Sequence, residues 1–94
     1  PPGTVLDQTI VVWALGEAPT TRTVAVHCHG VVTGALSADP GFSVAVRPVE
    51  AGARYLIDIT PRSTATRLLA TIRVQVQPEG DVSLFAAVGG ALAR

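Results

Sequence analysis

Between Phe42 and Val46 every second residue is apolar and large (Phe42, Val44, Val46), and the same holds from Tyr55 to Ile59 (Tyr55, Ile57, Ile59). Leu56, Asp58 and Thr60 fall between the members of the second set. A period of two puts each set on one face of a β-strand. Pro48 to Gly52 lies between the two runs, and Gly52 can adopt a positive φ, so a hairpin turn is expected there. Pro61 cannot donate to a sheet ladder and closes the second run. The two strands are therefore expected to be antiparallel neighbours whose shared apolar face needs a second layer.

The same pattern recurs along the chain. Arg22 to His29 places Val24, Val26 and Cys28 on one face and Thr23, Ala25, His27 and His29 on the other. Leu68 to Gln77 reads as a strand, because Ala70, Ile72, Val74 and Val76 alternate with Thr71, Arg73, Gln75 and Gln77; a short helix over Thr64 to Arg73 is the competing reading. Pro78 to Asp81 is a turn, and Val82 to Val88 is a last strand ended by Gly89-Gly90. Gly30 to Gly41 is weaker, with a short strand expected around Val31-Val32 and a turn at Asp39-Pro40-Gly41. Pro1 to Gly3 reads as a leader and Ala91 to Arg94 as a tail.

Val5 to Leu15 is one strand or two, and it is apolar on both faces. Ile10, Val12 and Ala14 make one face; Val11, Trp13 and Leu15 make the other. Such a strand is either central and covered twice, or lies against something outside its own domain. In all, six or seven short strands with turns at roughly ten-residue spacing predict a β-sandwich or small barrel. The core is expected from Ile10, Val12, Val24, Val26, Cys28, Phe42, Val44, Val46, Tyr55, Ile57, Ile59, Ala70, Ile72, Val74, Val82, Leu84 and Ala86.

Composition narrows the picture. The 94 residues suggest one domain, residues 1–94, and the missing initiator Met with a Pro-Pro start suggests a piece of a longer protein. A formal net charge of zero argues against nucleic acid or an anionic membrane as the partner, since both call for a basic excess. Cys28 is the single cysteine, so no intrachain disulfide forms. No apolar run approaches the length of a membrane span, so no membrane insertion is expected.

Phe42-x-Val44, then Gly52, then Tyr55-x-Ile57-x-Ile59-Thr60-Pro61, then Ala70-x-Ile72-x-Val74 resembles the immunoglobulin-like domains of the Hydin and major-sperm-protein type. The likeness is to their bacterial branch, a domain of unknown function in surface and periplasmic proteins. It covers the second half of the chain. It implies an all-β immunoglobulin-like sandwich of about seven antiparallel strands. It also implies a structural or interaction module, not an enzyme, that works in an extracytoplasmic bacterial protein beside neighbouring domains or a protein partner. Many bacterial relatives carry a Cys-Gly-Cys segment after an early strand. This chain has His27-Cys28-His29-Gly30 instead, which puts any role of paired cysteines in doubt.

Three side chains are candidates for chemistry. His27 and His29, two apart on a strand, project from one face and are candidate ligands for Zn²⁺ or Cu²⁺; a metal-binding module is the alternative function. They are the only histidines, so carboxylates from a neighbouring strand would have to complete a site. The competing reading is two histidines on a solvated or interface-facing strand. Trp13 is a candidate interface residue, against the reading that it belongs to the core. Cys28 alternates with Val24 and Val26 and reads as a small core residue. No cofactor is expected, and partners are neighbouring domains, another protein or a second copy.

Overall fold

The computed structural model describes residues 3–89. Pro1 and Pro2 of the expected leader, and the expected tail Ala91–Arg94, lie outside them. Eight strands run in chain order: β1 (Val5–Leu6), β2 (Ile10–Trp13), β3 (Arg22–His27), β4 (Val31–Ser37), β5 (Phe42–Glu50), β6 (Arg54–Pro61), β7 (Leu68–Gln77) and β8 (Val82–Val88). They form two four-stranded sheets, ordered β1-β3-β6-β5 and β2-β8-β7-β4. The fold is all-β among the described residues, and β7 is a strand over its full length rather than a helix.

The β5–β6 hairpin forms as the alternation requires, pairing Val44 with Ile59 and Val46 with Ile57. Gly52 takes φ +85° in its turn, and its N–H donates to the Tyr55 hydroxyl at 2.9 Å. β4 extends to Ser37, well beyond the expected Val31-Val32, because Gly34 to Ser37 pair along β7 after a bulge between Val32 and Gly34. The bulge interrupts the alternation and hides the strand from a period-of-two reading.

The N-terminal run becomes two strands in different sheets, which raises the count from about seven to eight. β1 pairs antiparallel with β3, and Asp7 ends that pairing. Its N–H donates to the Ala25 carbonyl at 3.0 Å, and its carboxylate accepts the Ala25 N–H at 2.9 Å. The side chain takes the N–H that a longer β1 would have used. The chain then crosses over, and the Thr9 carbonyl accepts from Phe85 N–H at 2.8 Å in the other sheet. β2 runs parallel to β8, so the expectation of antiparallel strands throughout is corrected at this one pair.

Between the sheets lie Val24, Val26, Tyr55, Ile57 and Ile59 from one side, and Ile72, Val74, Val76, Leu84, Ala86 and Val88 from the other. Cys28 and Phe42 are buried with them, as expected, while Val44, Val46 and Val82 are half-buried at the margin. Ile10 and Val12 are not in the core. Val11 and Trp13 take their place, at 2% and 0% exposure against 46% and 38% for Ile10 and Val12. A shift of one residue exchanges the two faces of a strand, and apolar residues on both faces of β2 left its sense open.

The β3–β4 connection passes tightly across the end of β7. A Cβ on Gly30 would lie 2.2 Å from the Gln77 carbonyl oxygen. Backbone must move to admit it, so Gly30→Ala is expected to destabilise the protein by about 1–3 kcal/mol. A urea midpoint that falls at unchanged slope would be that result.

Candidate functional site

His27 and His29 are the two candidate metal ligands of the chain. β3 ends at His27, and His29 lies beyond the strand, so the two rings do not share a strand face as expected. Both are exposed and border an open hollow of about 410 Å³ with Gly3, Val5, Glu50 and Arg54. The nearby carboxylates are engaged elsewhere. Glu50 lies 3.5 Å from Arg54. Glu79 accepts from the Gly3 and His29 backbone N–H groups and from the Thr4 hydroxyl. Among the described residues no three His, Cys, Asp or Glu side chains gather to hold a metal ion. Cys28 is buried beside them, its thiol 3.4 Å from the Gly30 carbonyl.

Trp13 is likewise not on the surface. Its ring is fully buried, 5.8 Å from the Phe42 ring, and its Nε1–H donates to the Thr20 carbonyl at 2.8 Å. The Arg22 guanidinium covers the ring at 5.2 Å and bonds Glu17 and the Val12 carbonyl. The interface reading of Trp13 is therefore corrected: a large side chain with one donor is best satisfied where the body is dry and the N–H meets a carbonyl. A buried threonine closes this end of the sandwich, its hydroxyl donating from Thr64 to the Glu17 carbonyl.

With Trp13 inward, Ile10 and Val12 must face out. Register then lines them up with neighbours across the sheet. Ile10 lies beside Phe85, and Phe85 beside Thr71. Val12 lies beside Ala87, and Ala87 beside Leu69. Leu36 on β4 lies beside Arg73. Ile10, Val12, Leu36, Leu69 and Phe85 are all exposed, whereas Ala87, flanked by Val12 and Leu69, is buried on the outer face. Among the described residues Arg73 is the one charge at an outward strand position of this sheet.

The other sheet presents a different surface. Its outer face carries Thr23, Ala25, Ala45, Arg47, Leu56 and Asp58, with Val5 exposed on β1 beside His27. Arg47 grips Asp58 through two hydrogen bonds, of 2.5 and 2.9 Å, and the Thr23 hydroxyl adds a third at 2.8 Å. The bond from Arg47 holds the Asp58 carboxyl below its ordinary value of 3.8, against the opposing effect of partial burial. The same bond raises the Arg47 guanidinium.

The apolar face is the feature that the sequence reading missed. Its signals were present as Phe85 and Ala87 on the second face of β8 and Leu69 on the second face of β7. They became a patch only when register placed them side by side.

Two outcomes follow. Trp13→Ala is expected to cost about 3–5 kcal/mol, and Ile10→Ser less than about 0.5 kcal/mol, as for an exposed position; denaturant titration of both variants checks the assignment of faces. Because the Asp58 pKa is depressed on folding, its contribution to stability is present above its ordinary value and lost as pH falls through the folded value. The stability gap between wild type and Asp58→Asn should therefore be constant near neutrality and close below about pH 4, as followed by urea unfolding at a series of pH values.

The chain matches no protein-family model and no curated protein.

Proposed function

We propose that this chain is a non-catalytic structural or protein-interaction module of the immunoglobulin-like type, working within a larger extracytoplasmic bacterial protein. The observation that carries the reading is the clustering of exposed apolar side chains on one outer face: Ile10, Val12, Leu36, Leu69 and Phe85 stand together there, while on the other Arg47, Asp58 and Thr23 form a bonded polar network, with Val5 and Val49 exposed beside it. A cluster of exposed apolar side chains on a sheet face is a surface for contact with another body.

The strand order supports the immunoglobulin-like type. β1-β3-β6-β5 corresponds to the A-B-E-D sheet of a constant-type domain and β4-β7-β8 to its C-F-G sheet, with β2 added beside β8. The inter-sheet disulfide of antibody domains has no counterpart, since Cys28 is the only cysteine. Location in an extracytoplasmic bacterial protein is supported by the resemblance of Phe42, Val44, Tyr55, Ile57, Ile59 and Pro61 to the bacterial Hydin-like family. The non-catalytic part is supported by the placement of the shifted pair: Arg47 and Asp58 satisfy each other on an open sheet face, not in a cleft.

Contact runs through the face and not through a strand edge. β1 has two residues and β2 four, β4 carries a bulge, and β5 carries Pro48. Short length, bulges and proline are the usual devices that keep an edge from pairing with another chain.

The test replaces Ile10, Val12, Leu69 and Phe85 together by serine or threonine. The wild-type chain should bind an apolar surface dye and be retained on a hydrophobic-interaction column; the variant should lose both while its melting temperature moves by only a few degrees. A wild type that fails to bind the dye, or a variant that unfolds, would show that these side chains are not a free contact surface.

A further inference from the structure

We infer that the partner on the apolar face is a second copy of this chain, docked sheet to sheet about a two-fold axis; this rests on the reading of that face as a contact surface. The face carries a knob and a hole of its own. Phe85 projects from β8 and is exposed. A hollow of about 270 Å³, lined by Leu36, Ser37, Ala38, Thr71 and Arg73, lies on the same face. Phe85 and Thr71 are paired across β8 and β7, and the Ala38 N–H donates to the Thr71 carbonyl. Knob and hole thus sit in one row across the strands.

That placement suits a two-fold contact. In an isologous interface, if residue i touches j, then j touches i. An axis lying along the strands, between Phe85 and the hollow, carries each Phe85 over the hollow of the other copy. It also aligns the strands of the facing sheets, which is the common way for sheets to stack. Arg73 lines the hollow, where an entering aromatic ring can meet its guanidinium face to face. Asp81 lies 3.9 Å from Arg73, so each copy brings that charge already balanced.

Area sets the strength. Four strands about 4.8 Å apart, each contributing about three outward residues, give a face of roughly 300–400 Å² in plan. Two such faces bury on the order of 1,000 Å² at most, the range of weak and transient interfaces. The dimer should accordingly appear only at high concentration, above roughly 100 µM.

Sedimentation velocity of the 94-residue chain from low micromolar to millimolar concentration tests this. Wild type should shift toward a dimer as concentration rises. Phe85→Glu should remain monomeric throughout with its melting temperature nearly unchanged, and Ala45→Glu on the polar face should follow wild type. Leu69→Ser supplies the same readout at a milder site if Phe85→Glu folds poorly, and should weaken the dimer at least tenfold. A wild type that stays monomeric at every concentration, or a dimer indifferent to both Phe85→Glu and Leu69→Ser, overturns the inference. Monomer with dye binding retained removes the second copy and leaves the contact-face reading standing; monomer without dye binding removes both.

Discussion

Trp13 seats fully buried between the two sheets, and that burial fixes which way β2 faces. β2 is four residues long and apolar at every position, so alternation alone gives it no preferred face. A tryptophan does. Its ring fills the end of the sandwich against Phe42, and its one donor finds the Thr20 carbonyl. Burial of so large an apolar body outweighs what Ile10 or Val12 would gain in its place. Once Trp13 is inside, Ile10 and Val12 are outside by the geometry of a strand.

A second constraint lies just upstream. Asp7 occupies the Ala25 N–H with its carboxylate and so stops β1 after two residues. The chain crosses to the other sheet, and β2 becomes the strand beside β8. The edge of that sheet is thereby filled, and the row Ile10–Phe85–Thr71 is completed across it. An acidic side chain that terminates one pairing thus helps to build the apolar face on the opposite sheet.

The two outer faces differ in how their side chains are satisfied. The polar face is tied together by Arg47, Asp58 and Thr23, whose bonds satisfy one another and leave little for a partner. The apolar cluster has no such closure: Ile10, Val12, Leu36, Leu69 and Phe85 carry no polar group to satisfy, and their burial against another body is favourable. His27, Cys28 and His29 fall between these surfaces at the end of a sheet, where Glu79 is held by backbone N–H groups and Glu50 faces Arg54.

Strands whose two faces differ in polarity are legible in the order of residues alone. β5, β6, β7 and β8, the turn at Gly52 and most of the core follow from a period of two and from the conformational habits of Gly and Pro. Cys28 was legible as a core residue because Val24 and Val26 share its face. Where both faces are apolar, as in Ile10 to Trp13, or where a bulge breaks the period, as in β4, local pattern carries no information about which side meets the core. Packing across the two sheets settles those, because only there do the volume of Trp13 and the N–H of Ala25 meet their partners. The candidate site belongs to this second class. Ile10, Val12, Leu36, Leu69 and Phe85 come from four separate strands, and alternation fixes the face of each without fixing its neighbours; hydrogen-bond register across the sheet is what makes them one surface.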